Sequence, residues 1–437
     1  MPALRRELGL LDATAVTIST IVGAGIFFVP SRVAAQFPDA TLILGLWVAG
    51  GLVSLAGALT VSELAAMFPR SGGPYEFVRE GLGPLAGFVV GWNNFTLSLG
   101  VRAGVLLVFA QYVAFFVPLS PVGIALLAVW AGGSMTYLNA LGVRLGARVV
   151  TVLTALKVAA LVGLVVGVAV LAPAAPSGTA PAGGNLSLAL LLVLFAYNSW
   201  IVASFLGDEV RDPQRTLPRA ILLGTLAVIA LYLAANLAFL RALGPAGMAA
   251  SSLVASDSLQ RATATGGAVI AGAVVVSTYG NSFGGFLSLA RVPYQMARRG
   301  ELPAMFARLN RHGVPDVALL SELVFASLFI ATGTFEAAAT VGVLAIWVGL
   351  VLVGVAYFAL RRARPGAARP YRVPLYPLAP GVFLIGALFV VGVTVLQQPA
   401  QAALTGLLIA AGLPLFAWQR HRTARGGLAR LPEIPVG

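Results

Sequence analysis

The chain contains a single lysine, Lys157, in the middle of the apolar stretch TALKVAALVG (154–163). If this stretch crosses a membrane, the ammonium lies roughly 15 Å deep at a helical rise of 1.5 Å per residue. A lysine stem of about 6 Å cannot bring it back to the surface. A lysine at the bilayer centre costs about 2.5–3.5 kcal/mol. We therefore expect Lys157 to have a functional or site-stabilising role, with simple tolerance of the charge as the alternative.

Two interruptions of apolar runs are the other candidates for chemistry. Gly23 and Gly25 flank Ala24 in TISTIVGAGIFFVPSR, and Asn198 and Ser199 interrupt FAYNSWIVASFLGDE. Glycine costs a helix about 1 kcal/mol relative to alanine, although a glycine pair also permits close helix packing. An interrupted helix exposes N–H groups that suit a carboxylate and C=O groups that suit an ammonium. The pair of interruptions predicts a site for a zwitterionic α-amino acid.

The composition requires these features to be positioned by membrane helices. Of 437 residues, 59% are hydrophobic and 10% charged, whereas soluble proteins carry about 25% charge. The chain has no cysteine, which excludes thiol catalysis and a disulfide-linked partner subunit. Both histidines, His312 and His421, lie in basic, loop-like segments, so we expect no metal and no cofactor. The short N-terminal segment before the first apolar run predicts an uncleaved N-terminus.

Twelve apolar segments are long enough to be read as membrane helices, because a spanning segment must satisfy its own backbone hydrogen bonds. The Pro- and Gly-rich segment 172–184 is the clearest linker between them. The predicted spans are 10–34, 40–67, 84–117, 121–140, 147–171, 187–207, 218–241, 264–296, 316–333, 336–360, 378–397 and 400–420.

The interruptions fall in the first and sixth spans, five spans apart. This spacing predicts two inverted five-helix repeats, about 10–171 and 187–360, with the helices 378–397 and 400–420 added at the end. We read residues 1–437 as a single transmembrane domain.

The arginines predict the orientation. With the N-terminus placed inside, 23 of the 27 arginines fall on the inner side, Arg32, Arg241 and Arg261 fall outside, and Arg102 lies within a span. This asymmetry follows the positive-inside rule and predicts a multi-pass protein of the cell inner (plasma) membrane with both termini cytoplasmic. It also explains the net charge of +13 without a nucleic-acid partner.

Four motifs resemble the amino acid–polyamine–organocation (APC) superfamily, and within it the L-type amino acid transporter-like branch. The similarity extends over about residues 7–420. It is carried by the glycine-rich segment 23–27, the signature at 62–75, the loop motif 208–220 and the segment 290–298.

This resemblance implies an all-α LeuT-type fold of twelve transmembrane helices, with a substrate site among spans one, three, six, eight and ten. The substrate carboxylate would meet amides near the first interruption, and the ammonium would meet carbonyls near both. Phe195 would be an aromatic gate, Lys157 would stand where sodium binds in sodium-coupled relatives, and Arg102 would line the vestibule or pair with a carbonyl or carboxylate. The implied substrate-binding residues are Ile21, Gly23, Ala24, Gly25, Phe195, Asn198, Ser199, Asn281 and Trp347.

Three features depart from the family pattern. Ala24 replaces a common serine, Asn198 and Ser199 replace a pair that is often Gly-Gly, and Asn281 and Phe283 stand in span eight where small residues and an asparagine are common. We infer a smaller or more polar pocket than in relatives that carry large aromatic substrates.

The carboxylates lie near the span ends. Glu63, Asp208, Glu209 and Glu322 are all expected at cytoplasmic ends, where they would anchor the interface or form ion pairs. Because no carboxylate is expected at the midplane, the sequence does not predict a carboxylate proton relay.

Together these features predict a sodium-independent amino acid transporter that works by alternating access as an exchanger of small or medium neutral amino acids. A proton-coupled amino acid or amine symporter is the alternative. A channel would need a continuous polar lining, and a membrane-embedded enzyme would need convergent acids, histidines or a nucleophile. The sequence has neither pattern.

Overall fold

The computed structural model describes residues 4–425, except 38, 176–183, 252, 262, 264 and 334. Within these residues the chain is helical, and extended pairing is confined to two isolated bridges, Leu8 with Val210 and Ser71 with Leu206. The all-α class is therefore as expected. Most of the linker read at 172–184 lies outside the described residues.

Eight helices form the first half of the chain. Many of them begin where the sequence supplies a helix start: prolines occupy the first position of three of them, and the side chains of Asp39 and Ser120 each accept a hydrogen bond from a backbone amide at 3.1 Å. The helices are α1 (Leu10–Ile21), α2 (Gly25–Ala34), α3 (Ala40–Met67), α4 (Pro74–Leu82), α5 (Pro84–Trp92), α6 (Leu99–Val113), α7 (Pro121–Ala140) and α8 (Val143–Leu171).

Nine helices form the second half. The longest is bent at Gly244, whose φ of 66° lies in the left-handed region. The helices are α9 (Leu186–Ala196), α10 (Pro213–Ala250), α11 (Val254–Gln260), α12 (Gly266–Leu289), α13 (Arg291–Arg298), α14 (Asp316–Ala331), α15 (Phe335–Ala363), α16 (Leu378–Gln397) and α17 (Pro399–Arg425).

Fewer helices than the twelve predicted are long enough to cross a membrane alone. In the described part of the chain nine helical stretches are long and apolar enough, if α5 and α6 are counted as one stretch (Pro84–Val113) and α12 and α13 as another (Gly266–Arg298). The number is ten if the bent pair α1–α2 is one span. The other two predicted spans contain shorter helices: α9 has 11 residues before irregular turns, and α14 has 16. Apolar composition shows where a hydrophobic segment lies, but it does not show where the helix within that segment ends.

Several boundaries also differ from the prediction. α8 begins at Val143 and α10 at Pro213, four and five residues before the predicted starts, because polar first turns conceal the beginning of a helix. The short helices α4 and α11 were not predicted, since neither is an apolar run.

The packing places α1 at the centre of the candidate site. α1 contacts α8, α10 and α12, while α12 also packs against α6 and α8. α9 packs against α2 and α3. The junction between α1 and α2 therefore lies among α8, α9, α10 and α12.

Candidate functional site

The first predicted interruption is a break in the helix. α1 ends at Ile21, α2 begins at Gly25, and the two axes differ by 43°. The last carbonyls of one helix and the first amides of the next helix have no hydrogen-bond partners within their own helices. The break therefore presents acceptors and donors within one turn of each other.

Lys157 satisfies part of the acceptor side. Its Nζ donates to the carbonyl oxygens of Ser19 at 3.0 Å, Val22 at 2.9 Å and Ser277 at 3.1 Å. An ammonium has three donors, and three carbonyls receive them. The side chain is 1% exposed and extends from the inner face of α8, whose outer face carries exposed apolar residues such as Leu156.

Three other side chains bind the remaining carbonyls of the break. Asn281 Nδ2 donates to Thr20 O at 2.6 Å, and Tyr232 Oη donates to Ile21 O at 3.1 Å. Ser277 Oγ lies 3.2 Å from Val22 O and 3.3 Å from Gly23 O. The carbonyl end of α1 is thus held by side chains of α8, α10 and α12.

The donor side is left open. Among the described residues no hydrogen bond uses the amides of Gly23, Ala24, Gly25 or Ile26, whereas the amide of Phe27 donates to Ala24 O at 3.0 Å. Ala24 and Gly25 are half-buried. Free amides at a helix N-terminus favour an anion.

The second predicted interruption is also present. α9 ends at Ala196, and Ser199 has a φ of 83°, an unusual left-handed conformation for a residue other than glycine. The side chain of Asn198 accepts the amide of Ser199 at 2.8 Å, which stabilises the turn locally. Two short 3₁₀ turns follow in place of a regular helix.

The two breaks lie against each other. A Cβ added to Gly25 would be 3.5 Å from Ala196 Cα, so the start of α2 approaches the end of α9 closely. Thr20 Oγ1 also lies 3.4 Å from Ser199 O. Gly23 is more restricted, because its Cβ would lie 3.1 Å from Asn281 Nδ2.

The two aromatic residues implied by the resemblance occupy different places. Phe195 is half-buried in the last turn of α9, and its carbonyl accepts the amide of Asn198 at 3.2 Å. Trp347 is 4% exposed in α15. No hydrogen bond or ring contact in the described part of the chain joins Trp347 to the breaks. The role of Trp347 in substrate binding stays a prediction from the resemblance.

Arg102 reaches the same region from α6. Its Nη1 lies 3.5 Å from both O and Oδ1 of Asn281, and a Cβ at Gly285 would collide with its guanidinium. Arg102 is half-buried. It thus touches a residue that itself holds the α1 carbonyl of Thr20.

Two of the four span-end carboxylates form ion pairs as expected, and a third, Asp208, accepts hydrogen bonds from uncharged groups. Glu63 pairs with Arg361 at 2.5 Å and Arg369 at 3.1 Å, and Glu209 pairs with the buried Arg291 at 2.8 Å. Asp208 accepts the amide of Ser71 and the side chain of Gln295.

Glu322 differs from the other three. It is 1% exposed, and in the described part of the chain neither carboxylate oxygen has a hydrogen-bond partner. The expectation of an interfacial ion pair is wrong for this residue. Its position near a span end did not reveal that the side chain points into the protein.

Sequence reasoning missed Tyr232, Ser277 and Thr20. Tyr232 is a single polar residue in an apolar run, whereas Thr20 and Ser277 stand next to other hydroxyl residues, and nothing in their spacing distinguishes them from packed hydroxyls. No group of three or more acidic, histidine or cysteine side chains that could hold a metal occurs among residues 4–425 outside the gaps given above.

The chain matches a known family over nearly its whole length. The family model described as "Amino acid permease" matches residues 8–416. The serine/threonine exchanger SteT of Bacillus subtilis (strain 168) is 31% identical, with 96% of this chain and 98% of that protein covered. The human Asc-type amino acid transporter 1 is 29% identical over 95% of this chain and 82% of its own length. The human cystine/glutamate transporter is 28% identical over 94% of this chain and 85% of its own length.

Proposed function

The chain belongs to the amino acid permease family, and on that premise we propose that it is a sodium-independent amino acid transporter. Like the other members of its family, it is a transporter and not an enzyme. In the proposal it works by alternating access and exchanges small or medium neutral amino acids. The similarity to a serine/threonine exchanger supports both the exchange and the small substrate.

The substrate in this proposal lies at the junction of the two breaks. Its carboxylate takes the free amides of Ala24, Gly25 and Gly23, which no described hydrogen bond uses. Its ammonium binds the carbonyls of Ile21 and Asn198, with Phe195 O nearby. Ile21 O already accepts Tyr232 Oη, but a carbonyl oxygen has two lone pairs and can accept a second bond.

The contacts of the Lys157 ammonium are the observation that carries sodium independence. Three carbonyls and the Ser19 hydroxyl, at 3.4 Å, surround Nζ. Oxygen ligands of this kind are what a hard cation uses. Because the ammonium already supplies one positive charge there, sodium has no vacant position in this proposal.

The remaining residues set the pocket. Asn198, Ser199 and Asn281 add polar groups in a crowded junction, which supports a small or hydrophilic side chain on the substrate. Phe195, half-buried beside the second break, is proposed as the gate that separates the substrate from one side. Arg102 lines the approach from α6.

Exchange from purified protein in vesicles tests this proposal. We expect uptake of labelled L-serine to saturate, to require an unlabelled amino acid inside, and to be equal in sodium and choline buffers. Competition by a panel of unlabelled amino acids then ranks the substrates. Uptake that rises with sodium would contradict the role given to Lys157, and uptake into amino acid-free vesicles would contradict exchange.

A further inference from the structure

Glu322 is a buried carboxylate that the proposed transport site does not use. It lies six residues after the start of α14 and is 1% exposed. Neither Oε1 nor Oε2 has a hydrogen-bond partner in the described part of the chain. An ionised carboxylate in such surroundings is unfavourable unless a nearby positive charge offsets it.

Two positive charges act on Glu322. They are Arg102 of α6 and Arg291 of α13, and both helices pack against α14. α7 and α12, which pack there too, contain no charged residue. α15 also touches α14, and its Arg361 is paired with Glu63.

The two arginines are not equally available. Arg291 donates from Nε and Nη2 to the carboxylate of Glu209 at 2.8 Å each, so its charge is already matched. Among the residues that the structure describes, Arg102 has only the two 3.5 Å contacts with Asn281, which are long for hydrogen bonds. The charge of Arg102 is therefore the one that offsets an ionised Glu322.

Arg102 also connects Glu322 to the break. It contacts Asn281, whose Nδ2 donates to Thr20 O and stands beside Gly23. A substrate carboxylate bound to the amides of the break attracts the guanidinium of Arg102. If the guanidinium turns toward the substrate, Glu322 loses the charge that offsets it.

We propose that Glu322 is a proton-binding site that fills when an amino acid occupies the break. This inference rests on the proposed function, because it uses the same substrate position. One proton from solution bonds to a carboxylate oxygen, the side chain changes from charge −1 to neutral, and no bond of the substrate is made or broken. During exchange a proton accompanies the amino acid in each direction, so a full cycle carries no net proton at any pH difference. The pH then changes the rate of exchange but not its equilibrium.

Binding measurements on the purified full chain test this coupling. We expect the Kd for labelled L-serine to fall by up to about tenfold for each unit decrease in pH, which is the limit for one linked proton. Glu322→Gln, which resembles the protonated side chain, should bind tightly at every pH and lose this dependence. Glu301→Gln, a carboxylate outside the membrane helices, is the control and should keep it. The same pH dependence in Glu322→Gln as in the wild type would overturn the inference.

A second measurement does not depend on the variant folding. Adding L-serine to wild-type protein in weakly buffered solution should take up close to one proton per bound amino acid, read with a pH-indicating dye. Binding without proton uptake would overturn the inference while leaving the proposed function intact. If no amino acid of the panel binds, the proposed function itself fails. In that case a pH-dependent infrared band of a protonated carboxyl group that disappears in Glu322→Gln still supports the proton site, and its absence overturns it.

Discussion

Lys157 shows how one side chain can join three helices. Its Nζ connects α8 to one carbonyl of α1, to the carbonyl of Val22 directly after α1 and to one carbonyl of α12, all within 3.1 Å. A buried donor that satisfies three buried acceptors removes the desolvation cost that each carbonyl would otherwise carry, about 1–3 kcal/mol. A point charge on a flexible stem can direct its hydrogens to three separate carbonyls, whereas a planar guanidinium cannot.

Replacing Lys157 should therefore stop transport. Lys157→Ala leaves three carbonyls without their donor, and Lys157→Arg places a larger, planar group in the same space, so both should reduce exchange by at least about tenfold if one bond's worth of free energy is lost. Leu156→Ala, on the exposed face of the same helix, is the matched control and should exchange normally. Exchange rates per folded molecule in vesicles provide the measurement, and wild-type rates in Lys157→Ala would refute the role.

At the scale of helices, the break between α1 and α2 has two different ends. Its carbonyl end is filled by Lys157, Tyr232, Asn281 and Ser277, while its amide end is open. The positive end of the α2 dipole points into that opening. The chain thus stabilises one end itself and leaves the other for a ligand.

Gly25→Leu tests the open end. A Cβ at Gly25 makes an ordinary contact with Ala196, so the backbone can accept a side chain, but a leucine fills the space in front of the amides. We expect binding of L-serine to be lost while the protein elutes as a folded species on gel filtration. Gly45→Leu, at an exposed glycine of α3 with nothing within 4 Å, should bind normally. Unchanged affinity in Gly25→Leu would move the carboxylate site elsewhere.

A hydrogen bond and an ion pair of Glu301 connect α4 to the segment after α13. Glu301 accepts Tyr75 Oη at 2.8 Å and forms an ion pair with Arg79, both on α4. Burial raises the pKa of Glu301 from about 4.5 to about 7, although Arg79 opposes the shift. The folded protein therefore binds this proton more tightly than the unfolded chain does.

The contacts of Glu301 should make the stability of the folded protein depend on pH. Because the folded pKa is the higher one, the contribution of Glu301 is complete below about pH 4.5 and is lost as the pH rises to about 7. Each pKa unit is worth about 1.4 kcal/mol, so the unfolding temperature should fall measurably over this range. Glu301→Gln should flatten the fall and Glu80→Gln, also on α4, should not. An identical fall in wild type and Glu301→Gln would contradict the assignment.

At the scale of the whole molecule, the orientation in the membrane remains a prediction from the arginines. Twenty-three of the 27 fall on the side that we propose to be cytoplasmic, together with both termini. The ion-pair clusters around Glu63, Glu209 and Glu301 also lie at helix ends and in connecting segments assigned to that side.

The absence of cysteine from the sequence permits a direct test of orientation. Gln398→Cys is exposed in the turn between α16 and α17, which is predicted to lie outside, and Gly366→Cys is exposed in the segment after α15, which is predicted to lie inside. In intact cells a membrane-impermeant maleimide should label Gln398→Cys and should label Gly366→Cys only after the membrane is opened. The reverse pattern would invert the proposed topology.

Much of the fold could be predicted because a membrane helix requires a continuous apolar segment, which can be seen in the sequence. Long apolar runs predicted α3, α7 and α16 to within a residue or two, and the glycine pair predicted the break before Gly25. The short helices α9 and α14 were read as longer spans, since an apolar run continues past the point where its hydrogen-bonded helix ends.

The sequence by itself determined that this chain is a helical membrane protein with two interruptions and one lysine in apolar surroundings. These features depend on residue type and on the local free-energy cost of a helical backbone, and both can be read from a short stretch of sequence. Only the tertiary structure decided that Lys157 binds Ser19, Val22 and Ser277, and that Glu322 has no hydrogen-bond partner among the described residues. Those facts depend on which helix faces meet, and residues more than a hundred positions apart in the chain leave no local pattern of their contact.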